Sequence, residues 1–366
     1  MIKRHFAIIA DTVPHCMHGG GGITAYATAR AIRDRGHDVT VIALTPCLYT
    51  GGVSEEFHVT HLEECGIRVD RIEGSFDLSR RSMWKRLAPA YTDLVPGFSM
   101  RDKVEHRLKK DRLHGVLMYH WNALAALHQI HIAPKIGLVG DPLHLPYLFR
   151  REFQRRNGER ESLVGLTKRF AYKALIASRQ IAVMKTLLED CDIGGAFAAH
   201  HATMLSDLGG QKCQYFRTPT PDPLPSSFPA VKPKEFRLLH IGHLQGIATL
   251  SGIEMLADEM IPALVGNFPP NGFKIHLVGA GFETIPENLR RKLTHSSLSV
   301  RGQVSPPDRE FLEAHCVIVP TPIELGIRVR ILTAFSFGSC VIAHAANKCG
   351  IPELEHGHNC LLGSSG

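Results

Sequence analysis

The sequence has no apolar run of about 18 residues, which is the length that a membrane-spanning helix needs. Its first residues, MIKRHFAIIADTV, contain an apolar run that is too short for a signal peptide. The 9 cysteines are odd in number and include no C-x-x-C pair. Most of them lie in apolar surroundings, which is typical of reduced core thiols. We therefore expect a cytoplasmic protein, with peripheral contact at the inner face of the membrane left open.

The sequence also lacks a recognisable nucleic-acid-binding module. Its formal net charge of +7 suits anionic partners of several kinds, but no aromatic platform accompanies the charge. Nucleic acid is therefore not a predicted partner. With 366 residues, of which 44% are hydrophobic, the chain is long enough for two domains, since a domain usually holds about 100 to 200 residues.

Strand and helix patterns alternate along the chain, which predicts parallel α/β sheets. The strand HFAIIAD, the loop TVPHCMHGGGG, the helix ITAYATARAIRDRG and the strand DVTVIAL form a first βαβ unit, with Gly36 as the helix stop. This unit begins a first domain at residues 1–216. Its other predicted elements are strands at 115–120 and 135–141 and helices at about 122–131, 160–189 and 195–208.

Six prolines fall between residues 217 and 236, where little periodicity remains, so a linker is predicted at 217–235. Beyond it, strand and helix patterns start again from RLLHIGHL. Residues 236–366 are therefore predicted to form a second doubly wound sheet. The fold class that follows is α/β, with two Rossmann-like doubly wound domains.

Residues 315–343 contain the strongest functional signal. Cys316 to Val319 is a short apolar run that predicts a buried parallel strand, and Gly326 is predicted to open a helix after a polar loop. Free backbone N–H groups and the helix dipole at such a start attract an anion, and Arg328 and Arg330 add positive charge. Because residues i and i+2 point apart on a helix, we expect Arg328 rather than Arg330 to contact that anion. The alternative is a pair of solvated arginines beside a crossover helix.

This stretch resembles the nucleotide-sugar signature of retaining GT-B glycosyltransferases of the family 4 type, the glycosyl transferases group 1. In that family a loop acidic residue, glycines, a helix start, a further glycine and a Val-Ile strand follow one another. Thr333 stands where the family has the second glutamate, which holds the donor ribose. The resemblance implies catalytic roles for Glu324 and Arg328. It implies donor contacts by Gly326, Ile327, Arg328, Arg330 and Thr333, and it extends through Ala334, Gly338 and Val341–Ile342.

Four glycines at 19–22 lie between the first strand and the first helix, where glycine lets the backbone approach a ligand closely. A dinucleotide site is one interpretation, but the spacing is not G-x-G-x-x-G, and DVTVIAL ends without the acidic residue that would hold a ribose. A flexible loop is another. The family resemblance extends through this segment, and it implies that Gly20, Gly21 and Gly22 lie near the donor phosphates and the acceptor.

Polar side chains follow two predicted strands of the first domain. His120 ends the strand GVLMYH, and Asp141 and His144 follow the strand KIGLVG, so all three are expected at carboxyl ends of parallel strands. A satisfied structural histidine is the alternative at each position. Since the family commonly has a histidine at each of these strand ends, the resemblance implies that His144 or Asp141 holds a sugar hydroxyl, with His120 further from the substrate.

In the second domain, the resemblance implies further donor contacts at two strand ends. Gly242 and His243 follow the strand RLLHI, and His243 stands where many family members carry an arginine that grips the diphosphate. A histidine there has a charge that depends on pH. Gly279 and Gly281 match the V-G-x-G turn near the nucleotide base, for which a tight strand exit is the alternative.

Six basic residues cluster after the strand KIGLVG. They form either a solvated helical face or a contact for anionic lipid or polyprenyl phosphate, since each basic residue near an anionic membrane can add about 1 kcal/mol. The six are Arg150, Arg151, Arg155, Arg156, Lys168 and Arg169.

The function implied by the resemblance is hexosyl transfer from a nucleotide-diphosphate sugar to a glycan, a lipid-linked acceptor or a small molecule. Transfer would retain the anomeric configuration and need neither metal nor cofactor. One alternative, favoured by Thr333 and His243, is a non-catalytic GT-B protein that binds or scaffolds. Another is a nucleotide-sugar epimerase. The family has a further helical segment after the second domain, so we expect this chain to lack that segment or to be shortened.

Overall fold

The computed structural model describes residues 2–16, 20–44, 54–72, 94–157, 167, 172–208, 212–220, 232–269 and 271–365. The chain divides into two compact units. The first consists of Met1–Leu145 and Arg160–Pro219, and the second of Pro146–Glu159 and Thr220–Gly366. The predicted linker at 217–235 stays a prediction, because its residues 221–231 lie outside the described ranges.

The first unit is built on a seven-stranded sheet in which every recorded pairing is parallel. The strand order is β3-β2-β1-β4-β5-β6-β7, so the chain moves to one side of β1 and later to the other. The topological switch point therefore lies between β1 and β4. The strands are β1 (His5–Ala10), β2 (Asp38–Ala43), β3 (Arg68–Arg71), β4 (Gly115–Tyr119), β5 (Lys135–Val139), β6 (Ile193–Ala196) and β7 (Cys213–Tyr215).

Helices accompany this sheet, and Ala29, on the first of them, is fully buried. That helix ends at Asp34, and Gly36 has a φ of 84°, as expected for a helix stop. The helices of the first part of the chain are α1 (Gly20–Asp34), α2 (Glu55–Glu64), α3 (Arg101–Leu108), α4 (His120–Ala126), α5 (Leu145–Arg156), α6 (Ser178–Glu189) and α7 (Ala199–Asp207), with a π-helix at Tyr172–Ala177 before α6.

Several predicted boundaries in this unit are wrong. The helix predicted at about 122–131 begins at His120 and ends at Ala126, and the strand predicted at 115–120 ends at Tyr119. The helix predicted at 195–208 begins at Ala199, because Gly195 and Ala196 belong to β6 and pair with β5. A Cβ on Gly195 would lie 2.3 Å from the ring of Phe216, so glycine is needed for close packing there although it has low strand propensity. The glycines predicted as a loop at 20–22 form the first turn of α1 instead, and Gly19 lies outside the described residues.

The second unit has a six-stranded parallel sheet in the order β10-β9-β8-β11-β12-β13, with its switch point between β8 and β11. All four residues of β11 are buried, which confirms the predicted buried strand. The strands are β8 (Phe236–Ile241), β9 (Phe273–Val278), β10 (Leu298–Gly302), β11 (Cys316–Val319), β12 (Cys340–His344) and β13 (Leu361–Gly363).

Helices of the second unit alternate with these strands. The helix predicted to open at Gly326 begins at Val329, with Arg328 as its N-cap residue. The difference arises because Gly326 has a φ of 64° and therefore turns the chain before the helix starts. The helices are α8 (Ile247–Met255), α9 (Ile261–Asn267), α10 (Glu287–Lys292), α11 (Asp308–Glu313) and α12 (Val329–Ser336), with a π-helix at Leu256–Met260 and 3₁₀ turns at Phe282–Thr284 and Ala345–Cys349. Within the described ranges, no helix has the length and apolar character needed to cross a membrane.

The buried carboxylate of Glu310 links α11 to β9 and forms an ion pair with Arg301. His276 Nδ1 lies 2.9 Å from Glu310 Oε2, and Arg301 Nη2 lies 3.4 Å from the other carboxylate oxygen. The bond to His276 holds the pKa of Glu310 below its ordinary value of 4.5. A depressed carboxyl pKa stabilises the fold above the unfolded pKa, and this contribution is lost as the pH falls through the folded pKa.

We therefore expect Glu310→Gln to lower the free energy of unfolding by about 1 to 3 kcal/mol at pH 7. The difference from wild type should shrink below pH 4.5, where wild type also loses the charge. Urea unfolding at several pH values measures both. Glu287→Gln is the matched control, since Glu287 pairs with Arg291 on the exposed surface of α10, and its replacement should change stability by less than about 1 kcal/mol. A pH-independent difference for Glu310→Gln would contradict the role of the ion pair.

Gly279, just after β9, lies too close to the neighbouring strand end to carry a side chain. Its φ is 148°, and a Cβ would lie 1.8 Å from the carbonyl oxygen of Gly242. We expect Gly279→Ala to destabilise the protein by about 3 kcal/mol or more, measured by thermal and denaturant unfolding. Gly302→Ala is the control, because Gly302 also has a positive φ, of 64°, but has nothing within 4 Å of the new Cβ. Gly302→Ala should lower the free energy of unfolding only by the cost of the left-handed backbone conformation, about 1 to 2 kcal/mol. An equal loss of stability in the two variants would contradict the steric argument.

Candidate active site

Open parallel sheets bind ligands outside the carboxyl ends of their strands, at the switch point. In the second unit this edge is formed by residues that follow β8, β9 and β11. Most of the donor-binding residues predicted from the sequence follow β8, β9 or β11.

Arg330, the second residue of α12, reaches the carboxyl end of β8. Its Nη1 donates to the carbonyl oxygen of Ile241 at 2.6 Å, and its Nη2 donates to Thr249 Oγ1 at 3.0 Å. Burial, with a further contribution from Arg328, lowers the pKa of Arg330 to about 9, so the side chain is still cationic at neutral pH. Within the described residues no carboxylate forms an ion pair with it. A held guanidinium that lacks an acidic partner is suited to a bound anion.

Glycines beside this guanidinium allow the backbone to approach it more closely than residues with a side chain would. A Cβ on Gly242 would lie 2.7 Å from Arg330 Nη1, and one on Gly281 would lie 2.6 Å from Cγ of Gln245. Together with Gly279, these residues place backbone at the ends of β8 and β9 where side chains would otherwise stand. The structure therefore brings Gly242, Gly279 and Arg330 together, as three of the predicted donor-binding residues.

The other predicted residues of the α12 segment lie at or just before the helix. Gly326 and Ile327 form the turn that packs on Gly350, whose Cβ would lie 2.5 Å from the Gly326 carbonyl oxygen. Arg328 is half-buried at the N-cap position. Thr333 Oγ1 donates to the carbonyl oxygen of Val329 within the helix, at 3.1 Å.

Two further predicted residues are exposed. Glu324, in the loop after β11, accepts a hydrogen bond from Cys349 Sγ at 3.2 Å. His243 follows β8, and partial desolvation lowers its pKa below the ordinary value of 6.5. At neutral pH this favours the uncharged ring, so His243 contributes less positive charge than the arginine it replaces in the resembled family.

In the first unit, the switch point between β1 and β4 is occupied by His120. It is the first residue of α4 and has a φ of 68°, a left-handed conformation that is strained for a non-glycine residue. A Cβ on Gly21 would lie 2.6 Å from His120 Nε2, and one on Gly140 would lie 3.1 Å from its Nδ1. The ring thus packs between two glycines, and it makes no hydrogen bond to any described residue.

Asp11, at the end of β1, lies beside this histidine. Burial raises its pKa, while the nearby His120 and a hydrogen bond from Asn122 Nδ2 at 3.2 Å act in the opposite direction. Asp11 was not a predicted site residue. Only its position directly after a buried strand marks it in the sequence, and many aspartates share that feature.

Asp141 and His144 are the two residues predicted to be catalytic after β5. Asp141 Oδ1 is 3.8 Å from Nδ1 of the fully buried His201, and its carbonyl oxygen accepts from Trp121 Nε1 at 2.8 Å. Burial lowers the pKa of His144, whose Nδ1 is buried and has no partner among the described residues. Gly22 of the predicted glycine loop approaches a different ring, with its Cβ position 3.0 Å from His15 Nε2.

The cluster of basic residues is largely paired within the second unit. Arg150 Nη2 donates to the carbonyl oxygen of Gln245, Arg155 pairs with Glu152, and Arg156 Nη2 lies 3.0 Å from Glu254 Oε2. Arg151 lies over the ring of Tyr147. Lys168 and Arg169 lie outside the described residues. Membrane contact by this cluster stays a prediction.

Residues 235–366 match the family model described as Glycosyl transferases group 1. Among solved structures, HepE (Alr3699) of Anabaena in complex with UDP and glucose is similar, with a TM-score of 0.62 and 15% identity over 99% of this chain and 86% of that one. A TarM variant of S. aureus in complex with Fondaparinux, alpha-GlcNAc-glycerol and UDP has a TM-score of 0.63 and 9% identity, over 99% of this chain and 90% of that one. A glycosyltransferase from Rickettsia africae has a TM-score of 0.58 and 11% identity, over 98% of this chain and 84% of that one. No curated protein matches the chain.

The protein therefore has the GT-B fold, which confirms the predicted fold class of two Rossmann-like units. Its residues 235–366 match the model of the glycosyl transferases group 1, which agrees with the predicted family. The predicted hexosyltransferase class agrees with this family match. The family 4 type and retention stay predictions.

Proposed function

We propose that the protein transfers a hexosyl group from a nucleotide-diphosphate sugar to an acceptor hydroxyl. The second unit would hold the donor, and the first would hold the acceptor. The observation that carries this proposal is Arg330, a cationic side chain fixed at the carboxyl end of β8 beside two glycines, without a carboxylate partner in the described ranges. UDP is bound in the similar structures of HepE and TarM, which supports a nucleoside diphosphate as the anion.

Arg330 would stabilise the charge that develops on the diphosphate as its bond to the sugar breaks. Removing one such preorganised donor typically costs about 2.7 to 4 kcal/mol of transition-state stabilisation. The start of a helix adds only about 0.3 to 2 kcal/mol. Because enzymes supply roughly 8 kcal/mol or more, Arg328 and orientation of the acceptor must contribute the rest.

Retention, metal independence and the acceptor class are part of the proposal through the family resemblance. TarM has oligosaccharide and glycosylated glycerol bound, which supports a glycan acceptor, whereas a lipid-linked acceptor is proposed from the family resemblance alone. The hydroxyl of Thr333 is engaged by its own helix, so we expect ribose contacts to come from other residues. A cytoplasmic location, with peripheral contact at the membrane, is likewise proposed.

A thermal-shift panel of UDP-, GDP- and ADP-sugars tests donor binding. A ligand at 100 times its Kd stabilises the native state by about 2.7 kcal/mol, which raises the unfolding temperature measurably. We expect one nucleotide family to give a clear shift and the matching free sugar to give none. A flat panel, together with no release of nucleoside diphosphate in turnover assays, would exclude the proposal.

Product analysis separates the remaining alternatives. An epimerase would convert the donor without any acceptor, whereas a transferase forms a glycosylated product. A non-catalytic binding protein would bind the donor and yield neither product.

A further inference from the structure

The strands that flank the donor site pair only over part of their length. Val317 on β11 lies opposite Leu239 on β8, and Cys316 lies opposite Leu238. A ladder that continued in this register would place Val319 opposite Ile241. The recorded pairing ends at Val317, although both strands continue towards the site.

Two side chains bond to strand carbonyls beyond this point. His240 Nδ1 lies 3.1 Å from the carbonyl oxygen of Ile318, and so links β8 to β11. Arg330 Nη1 donates to the carbonyl oxygen of Ile241 at 2.6 Å. The Ile241 carbonyl, which holds the Arg330 guanidinium, therefore lies beyond the last recorded backbone pair between β8 and β11.

His240 is fully buried, and its ring is uncharged. Burial lowers its pKa to about 3, and the nearby Arg330 acts in the same direction, so Nδ1 carries the single ring proton and donates to Ile318. A neutral ring can lie near a guanidinium without repelling it. Its Nε2 has no hydrogen-bond partner among the described residues. A buried, incompletely satisfied histidine is costly in a strand, so packing alone is a poor account of it.

We propose that His240 is a positioning residue for the donor diphosphate: by linking β8 to β11 where their ladder ends, it keeps the Ile241 carbonyl accessible to Arg330 and fixes the guanidinium for the anion. This inference rests on the proposed function. His240 itself need not touch the ligand. Its effect should therefore appear in the affinity for the diphosphate and in the environment of Arg330.

The test compares three variants of the full chain. His240→Phe keeps the approximate volume and removes the donor, and His240→Gln keeps polarity but does not place a donor where Nδ1 lies. His240→Asn retains an N–H donor near the position of Nδ1. Calorimetry measures Kd for UDP, GDP and ADP. Mass spectrometry measures how fast phenylglyoxal modifies Arg330 in the ligand-free protein.

We expect the Phe and Gln variants to bind the preferred nucleoside diphosphate about tenfold more weakly, because a hydrogen bond that orients a charged group is lost. In both, Arg330 should react faster with phenylglyoxal. The Asn variant should stay within about threefold of wild type. A purely structural role would lower the unfolding temperature without changing Kd or the reactivity of Arg330.

Two results would overturn the inference. One is an unchanged Kd and an unchanged Arg330 reaction rate in folded Phe or Gln variants. The other is an equal loss of affinity in all three variants, because the retained donor would then be irrelevant. If wild type binds no nucleoside diphosphate, the proposed function fails, and the Arg330 reaction rates alone decide whether His240 positions the guanidinium.

Discussion

Replacing Arg330 by alanine is expected to lower kcat for sugar transfer by about 100-fold or more, the usual loss when a preorganised charge-stabilising donor is removed. Its guanidinium is held by the Ile241 carbonyl and by Thr249, so it is oriented before the donor binds. Arg330→Lys should recover only part of the rate, because an ammonium keeps the charge but not the planar fork. Steady-state kinetics with the donor identified by thermal shift measure both effects.

Arg328→Ala is the matched control, since it removes the same charge two residues earlier. Arg328 is the N-cap residue of α12, and its charge lowers the pKa of Arg330, so its removal leaves the Arg330 side chain cationic. The bonds that hold the Arg330 guanidinium, to Ile241 and Thr249, do not involve Arg328. We expect a loss of no more than about tenfold. A larger loss for Arg328→Ala than for Arg330→Ala would favour the sequence-based assignment over the geometric one. Arg330→Met, which keeps most of the side-chain stem, checks that the loss does not arise from unfolding.

The sequence indicates a candidate anion site in this segment but does not determine which of its two arginines would contact the anion. A buried strand, a polar loop and a basic helix start are visible in residues 315–343, because apolar runs and glycines determine them locally. The direction of Arg330 depends on where α12 begins, and the positive φ of Gly326 moves that start to Val329. Such a backbone angle is set by packing against Gly350, which is distant in sequence.

For a similar reason, strands with a continuous apolar run are easier to predict from the sequence than strands rich in glycine. β1, β2 and β11 have apolar runs that identify them without tertiary information. β6 has the sequence IGGA, and its extended conformation comes from pairing with β5 rather than from propensity. Which polar residues at the ends of these strands have a functional role is harder still to predict. Burial and backbone strain distinguish a few of these residues, and both are known only from the folded structure.

His120 is the residue of the first unit whose backbone conformation most clearly points to a role at the site. The sequence resemblance favours His144 or Asp141 as the residue that holds a sugar hydroxyl. In the structure, His120 lies at the switch point, in a strained conformation and next to Asp11, and its ring makes no hydrogen bond to a described residue. Strain of about 1 to 3 kcal/mol at a polar residue is retained where the conformation serves a function.

We therefore expect His120→Asn to lower kcat by about 100-fold or more, the contribution of a positioned group that exchanges protons or hydrogen bonds with a reacting hydroxyl. Asparagine tolerates a positive φ, so the unfolding temperature should stay near that of wild type. His144→Asn is the comparison. The ring of His144 is also partly buried, but its backbone has no positive φ, so the loss of kcat should be smaller than for His120→Asn. If His144→Asn abolishes turnover while His120→Asn remains active, the strained conformation of His120 has no catalytic role, and the site in the first unit is centred on the end of β5.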